Sequence, residues 1–271
     1  MPGPCTRTPL PTRRASLLAL AGFALGGCGG GAMEDGESSL AGTLVTRSIV
    51  ANSNGTNYPL NIYLPPGLAA IRNTVPVIYL LDGDSRIAAV VDIVERTQAR
   101  VIVVGIGIGN EAMRSRDYVP ANVCTSGGGG HAAYLDFIRF QLAPSIETNF
   151  GGDPRRRILL GHSHGGSFVL YALFTETPTT RHFAAYLASD ASIDCMSGTV
   201  YGWEEDYAIV YPMLPVRLHI SYGANNANQA FAEKVQGRDY TDLTMAAKSY
   251  GGGHIGMIPA AFTDAMAFAL A

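Results

Sequence analysis

Short apolar runs alternate with helix-like segments along most of the chain. Two early segments, residues 43–51 and 58–64, show the rough alternation of exposed strands and are joined by an Asn-Gly turn. Five short, continuous apolar runs follow, which is typical of strands that are covered on both faces. They are VPVIYLL, RVIVVGIG, RRILLG, FAAYLAS and VRLHISYG. Apolar residues at spacings of three and four occupy residues 87–98, 132–149, 167–175, 229–235 and 259–270. The pattern predicts an α/β domain with a mostly parallel sheet, an antiparallel start and helices on both faces.

The composition fits one large domain with a single core. Of the 271 residues, 47% are hydrophobic and only 15% are charged, which is typical of a globular protein. The formal net charge is -3 and the chain has no run rich in Lys and Arg, so nucleic acid is not an expected partner. A small-molecule substrate is expected instead.

The N-terminal segment has the features of an export signal. Arg13 and Arg14 lie in TRRASLL, which resembles a twin-arginine signal, and they precede an apolar run over residues 17–25. That run is too short to span a bilayer. The LGGC sequence that ends at Cys28 resembles a bacterial lipobox, in which the cysteine is acylated and becomes the mature N-terminus. The alternative is an ordinary secretory peptide with a cysteine there by chance.

These features divide the chain into three parts. We expect a signal peptide over residues 1–27, a flexible tether over residues 28–41 and the α/β domain over residues 42–271. The protein is then exported and held at the bacterial cell envelope, with a lipid on Cys28 as its contact with the membrane.

Two of the four cysteines remain for the folded domain. Cys5 lies in the predicted signal peptide and Cys28 would carry the lipid, which leaves Cys124 and Cys195. Because an exported protein meets oxidising conditions, these two remaining cysteines are predicted to form a disulfide. The alternative is a pair of buried free thiols.

The stretch GHSHGG places Ser163 between a predicted strand and a predicted helix. Glycines on both sides allow a tight turn that presents the serine hydroxyl at the carboxyl edge of the sheet, as in a nucleophile elbow. The backbone N–H of His164, at the start of the helix, faces a developing oxyanion. The pattern predicts that Ser163 is a nucleophile. The alternative is a glycine-rich turn that contains a serine by chance.

His254 is the predicted base for Ser163. A final strand is predicted over residues 243–250, and His254 follows it in GGGHIGM. A loop there can bring an imidazole to the elbow, and the order serine, acid, histidine suits this arrangement. The alternative is a surface histidine on a glycine loop. His162 and His164 are expected to pack beside the sheet, and no third ligand follows them at a metal-binding spacing, so no metal is predicted.

Several segments together carry a family resemblance, among them VIYLLDGD, RSRDYVP, LLGHSHGG and GRDYTDLTMAAKSYGGGHIGM. From about Gly42 to its end the chain resembles the esterase family of α/β-hydrolases that includes the enterochelin and other siderophore esterases and esterase D. The resemblance implies the α/β-hydrolase fold, Ser163 as nucleophile, His254 as base, and an oxyanion hole from the backbone N–H groups of His164 and Asp84. It implies no cofactor.

The activity expected from this resemblance is that of a serine esterase acting through an acyl-enzyme. A siderophore trilactone is one expected substrate, and acetylated sugars, feruloyl esters and simple short acyl esters fit as well. Two alternatives stay open, namely an acyltransferase of the same fold and a catalytically silent lipoprotein that binds a ligand.

The third member of the catalytic triad is missing from its usual place in the family. The strand VRLHISYG is followed by residues 224–228, which include no carboxylate. Asp190, at the end of the preceding strand, is the candidate acid because that strand end opens at the same edge of the sheet. The alternative is a Ser-His dyad in which an amide or a backbone carbonyl orients His254, and Asp190 is then a solvated loop acid.

Two further groups are candidates for contacts with the substrate. Tyr201, Trp203 and Tyr207 lie in a long segment between strands, which either covers the site or packs elsewhere. Arg114 and Arg116 follow a strand and either reach an anionic group of the substrate or are ordinary surface arginines.

Overall fold

The computed structural model describes residues 40–271 with the exception of Asn225. The predicted signal peptide, Cys28 and most of the predicted tether lie outside the described residues. Where the description begins, the carboxylate of Glu95 accepts hydrogen bonds from the backbone N–H groups of Ala41 and Gly42 at 3.1 and 3.0 Å. The chain is therefore attached to the domain from Ala41 onward.

One sheet of eight strands forms the centre of the domain. The strands are β1 (Thr43–Val50), β2 (Asn57–Leu64), β3 (Val75–Leu80), β4 (Ile102–Ile106), β5 (Gly152–His162), β6 (Ala185–Ser189), β7 (Arg217–Tyr222) and β8 (Thr244–Ser249). Their order in the sheet is β1-β2-β4-β3-β5-β6-β7-β8. The β1–β2 and β2–β4 pairs are antiparallel and all other pairs are parallel. The predicted antiparallel start and parallel continuation are confirmed.

Helices connect the parallel strands. They are α1 (Leu68–Ile71), α2 (Gly83–Thr97), α3 (Glu111–Tyr118), α4 (His131–Phe137), α5 (Ala143–Phe150), α6 (His164–Thr175), α7 (Ile193–Val210), α8 (Asn226–Gln236), α9 (Gly253–Gly256) and α10 (Ile258–Leu270). A π-helical turn, Ile138–Leu142, joins α4 to α5, so the helix predicted over residues 132–149 is nearly continuous. The pattern of apolar residues did not predict the short helices α1 and α9, or α3 and α7.

The sheet is buried on both faces. Alternate residues of β3 point to opposite sides: Val77 and Tyr79 belong to one core cluster, and Ile78 and Leu80 to another. The first cluster packs under α4 to α8, and the second packs under α2 and α10. Helices on both faces explain why the central strands are apolar throughout. In a strand with one face exposed to solvent, apolar and polar residues would alternate. The α/β prediction is confirmed.

The disulfide predicted from the cysteine count is present. Cys124 and Cys195 are bonded, with their Cα atoms 5.4 Å apart. Cys124 lies in the loop after α3, and Cys195 lies in the first turn of α7. The bond therefore ties that loop to the segment that follows β6, where Asp190 is found.

Candidate active site

Ser163 occupies the turn between β5 and α6 in an uncommon backbone conformation. Its φ of 60° and ψ of -124° lie outside the regions that residues with a side chain normally adopt, at a cost of about 1–3 kcal/mol. The neighbouring chain requires small residues, because a Cβ at Gly161 would lie 2.4 Å from the carbonyl oxygen of Gly165. The N–H of Ser163 donates to the carbonyl of Ser189 at 2.9 Å, which fixes the turn to the end of β6. This strained, tightly held turn is the geometry of a nucleophile elbow.

Asp190 contacts His254 directly. The Nδ1 atom of His254 lies 2.6 Å from Oδ2 of Asp190. Asp190 is held in place on the other side, since its Oδ1 accepts the N–H of Gly223 at 3.1 Å and its backbone N–H donates to the carbonyl of Ser221 at 2.6 Å. Its side chain is 8% exposed, whereas that of His254 is 49% exposed. A buried, fixed carboxylate thus orients an imidazole that faces solvent, and it leaves Nε2 as the nitrogen free to take a proton.

The ring of His162 packs against the ring of His254. Their centroids are 4.4 Å apart and their planes are inclined by 38°. Burial, followed by the charges of His254 and Arg86, lowers the pKa of His162 to about 3, so this imidazole is neutral near pH 7. Because His162 is neutral, it adds no positive charge beside His254. His162 was expected to pack beside the sheet, and the structure shows that it packs on the predicted base itself.

Ser163 and His254 line the same cavity, which has a volume of about 530 Å³. The Ser163 hydroxyl lies 3.3 Å from the hydroxyl of Ser192, the residue that precedes α7. Hydrogen bonds between catalytic groups are often longer or differently directed in ligand-free proteins than in the reacting complex. The partner of the Ser163 hydroxyl in this structure is therefore another hydroxyl, that of Ser192.

Two helices begin at this cavity, and their first backbone N–H groups can donate hydrogen bonds to an oxyanion. His164 is the first residue of α6, and Asp84 lies in the first turn of α2. The N–H groups of a first turn lack partners within the helix and lie at the positive end of its dipole. The carboxylate of Asp84 is already engaged, since its Oδ2 accepts the N–H groups of Ile108 and Gly109 at 3.1 and 2.9 Å. The backbone of Asp84, and not its carboxylate, is thus the group that fits an oxyanion hole.

The two arginines singled out in the sequence are engaged within the protein. Arg114 lines the cavity and forms two hydrogen bonds with the carboxylate of Asp82, at 2.8 and 3.1 Å. Arg116 forms two with the buried carboxylate of Asp117, at 2.7 and 2.8 Å. Both guanidinium charges are therefore matched by carboxylates of the chain.

The aromatic residues of the segment after β6 pack between helices. Trp203 meets Tyr171 of α6 with ring centroids 5.1 Å apart, and Tyr201 meets Phe231 of α8 at 5.2 Å. Tyr207 packs in the same way against Phe174, at 5.9 Å. Of the two hypotheses for these rings, the structure supports packing elsewhere over covering the site.

Neither a metal site nor a membrane-spanning helix is found among the described residues. No group of three or more His, Cys, Asp or Glu side chains within residues 40–271 is placed to hold a metal ion. No helix in that part of the chain is long and apolar enough to cross a bilayer.

Comparison with known proteins agrees with the family resemblance. Residues 51–245 match the model of a family described as "Putative esterase". A siderophore triacetylfusarinine C esterase of Aspergillus fumigatus is 32% identical over 136 residues, which cover 45% of this chain and 46% of that protein. The ferri-bacillibactin esterase BesA of Bacillus subtilis is 31% identical over 142 residues, covering 44% and 48%. The chain thus matches these curated relatives over about half of their length.

Solved structures share the whole fold. An IroE-like serine hydrolase from Shewanella oneidensis is 26% identical, with a TM-score of 0.73 over 83% of this chain and 79% of that one. The BES protein from Bacillus cereus has a TM-score of 0.71 at 22% identity, over 83% and 94% of the two chains. With the family match spanning well over half of its length, the chain belongs to this esterase family and has the α/β-hydrolase fold.

Proposed function

We propose that this protein is a serine esterase that hydrolyses carboxylic esters through an acyl-enzyme. The observation that carries the proposal is the 2.6 Å contact between Asp190 and His254 at a cavity that also exposes Ser163 on a strained strand-to-helix turn. A nucleophile, a base and a group that orients the base thus meet at one edge of the sheet. This is the combination that activates a serine hydroxyl.

The proposed reaction begins when the Ser163 hydroxyl turns from Ser192 toward Nε2 of His254. Nε2 takes the hydroxyl proton while Oγ forms a bond to the ester carbonyl carbon, and the carbonyl oxygen becomes an oxyanion. Backbone N–H groups of His164 and Asp84 donate to that oxyanion. The intermediate collapses as the C–O bond to the alcohol breaks and the imidazolium returns its proton to the leaving oxygen. Water then attacks the acyl-enzyme by the same steps and releases the acid.

The surroundings of His254 support its role as the base. During attack the imidazole becomes a cation, which the carboxylate of Asp190 stabilises through Nδ1. His162, neutral because burial lowers its pKa to about 3, adds no opposing charge. The negative charge of Asp190 therefore lies directly opposite the positive charge that His254 gains during attack.

The lining of the cavity favours a compact, polar ester. Its charged residues include Asp82, Asp84 and Arg114, and the only large apolar side chains that line it within the described part of the chain are Ile108 and Ile255. A long acyl chain would need a larger apolar surface. Siderophore esters and short acyl esters fit this lining, and the names of the two curated relatives point to the first of these classes.

Assay of the purified protein with p-nitrophenyl acetate tests the proposed activity. We expect release of p-nitrophenol and acetate in equal amounts, with water as the acyl acceptor. The same assay with an added alcohol separates hydrolysis from acyl transfer, because a transferase would form the new ester in preference to acetate. Absence of turnover with all short acyl esters and siderophore trilactones would contradict the proposal and support a ligand-binding protein.

We also propose that the esterase is exported as a lipoprotein. The proposal rests on the twin-arginine and lipobox resemblances that end at Cys28. Cys28→Ser is expected to abolish acylation and release the protein from the membrane fraction, whereas Cys5→Ser, within the signal peptide, should leave the mature protein unchanged. Mass spectrometry of the mature N-terminus measures both variants. An unmodified Cys28 in the wild-type protein would contradict the proposal.

A further inference from the structure

Arg86 is a cation that lines the candidate active site without a partner among the described residues. It is the fourth residue of α2, is half-buried, and lines the same cavity as Ser163 and His254. Its Nε is shielded from solvent and has no hydrogen-bond partner among residues 40–271 as described. In the described part of the chain, its guanidinium forms no ion pair and no hydrogen bond.

Arg86 lies near the N-terminus of α2, which is an unfavourable place for a cation. The first turn of a helix carries the positive end of the dipole, where an anion is stabilised and a cation is destabilised. A shielded donor that lacks an acceptor adds a further penalty. An anionic group that entered the cavity would relieve both costs at once.

The other charges of the cavity are already engaged. The Arg114 guanidinium is held by Asp82 at 2.8 Å and lies 3.6 Å from Glu111, whose side chain is 71% exposed to water. The Asp84 carboxylate accepts two backbone N–H groups. Carboxylates outnumber guanidinium groups in the lining, so the net charge of the cavity does not attract an anion. Only a direct contact with the Arg86 guanidinium would bind one.

A second unpartnered group lies beside this cation. His162 is 2% exposed, and its Nδ1 lies 3.1 Å from the hydroxyl of Ser189. Its Nε2 is buried and has no hydrogen-bond partner in the part of the chain that the structure describes. The side chain lines the cavity with Arg86. Buried polar atoms are normally paired, so two unpartnered groups in one cavity point to a polar ligand.

We infer that Arg86 selects esters that carry an oxygen anion, such as a carboxylate, close to the scissile bond. The inference rests on the proposed esterase function and adds a specificity-determining residue to it. The guanidinium would donate to the oxygen anion while Ser163 attacks the carbonyl. Because the contact is direct, its effect depends on where the charge lies on the substrate.

Matched pairs of esters test this inference. In one pair the charge is on the acyl side, with mono-p-nitrophenyl succinate against neutral p-nitrophenyl butyrate. In the other pair it is on the alcohol side, with 4-acetoxybenzoate against its methyl ester. For Arg86→Gln we expect the anionic-to-neutral ratio of kcat/KM to fall by about 10- to 100-fold in at least one pair, the range for loss of a charge-assisted hydrogen bond. Arg86→Lys should restore part of the ratio.

Arg96 provides a matched control on the same helix. It is paired with Asp92 at 2.9 Å and its side chain is 57% exposed, so Arg96→Gln removes the same charge and should leave both ratios unchanged. Added salt should lower the ratio for the wild-type protein and not for Arg86→Gln. A folded Arg86→Gln protein with both ratios unchanged would overturn the inference, as would a wild-type protein that cleaves only the neutral esters. Failure of the wild-type protein on all four esters would instead overturn the proposed esterase function, and the inference with it.

Discussion

Replacement of Ser163 by alanine is expected to lower kcat for p-nitrophenyl acetate by about 10⁶-fold, the scale seen when a serine hydrolase loses its nucleophile. The change removes the one oxygen that forms the acyl-enzyme and leaves the elbow itself in place. The hydrogen bond from the N–H of residue 163 to Ser189 uses only backbone atoms and should persist. Steady-state kinetics measures the loss, and circular dichroism shows whether the variant is folded.

Ser192→Ala is the matched control, because its hydroxyl lies only 3.3 Å from that of Ser163. Loss of one neutral hydrogen bond, worth about 0.5–1.5 kcal/mol, should lower kcat by no more than about tenfold. If Ser163→Ala remained active while Ser192→Ala was inactive, the nucleophile would be Ser192 and the assignment of the elbow would be wrong.

Replacement of Asp190 by asparagine is expected to lower kcat by about 10⁴-fold, as the equivalent change does in a serine protease triad. Asparagine keeps the shape and the acceptor for the N–H of Gly223, but it removes the charge opposite His254. The amide can also favour the wrong tautomer of the imidazole, which leaves Nε2 protonated and unable to take the serine proton. Measurement of kcat for p-nitrophenyl acetate reports this effect.

Asp206→Asn serves as the charge-matched control, because Asp206 is exposed on α7 and does not line the cavity. It should leave kcat unchanged. A loss below about tenfold for Asp190→Asn, near 1.4 kcal/mol of barrier, would indicate that His254 works in a dyad and that the 2.6 Å contact is structural.

The positions of the candidate site residues at the ends of the parallel strands could be predicted from the sequence. Carboxyl ends of parallel strands share one edge of a sheet, so the ends of β5 and β6 could be expected to bring Ser163 and Asp190 together before their contacts were known. The same reasoning placed His254 after β8. The catalytic roles of these residues stay predictions, whereas their proximity is a property of the fold.

Charge pairing and helix starts could not be predicted in the same way. The apolar pattern predicted a helix from residue 87, but α2 begins at Gly83, and this earlier start places Arg86 near the N-terminus of the helix, at the cavity. Arg114 is neutralised by Asp82, 32 residues away in the chain, and no local signal specifies such a pair. The helix α7 was missed because its glycines, Gly198 and Gly202, lower helix propensity and packing against α6 and α8 overrides that preference.

Labelling with a fluorophosphonate tests the central claim most directly, since the reagent forms a covalent bond only with an activated serine. The protein is treated until esterase activity is lost, and the adduct is located by peptide mass spectrometry. The account predicts one adduct per chain, on Ser163, that increases in parallel with the loss of activity and is absent from Ser163→Ala. Loss of activity with an adduct on another residue, or full activity with Ser163 completely labelled, would contradict it.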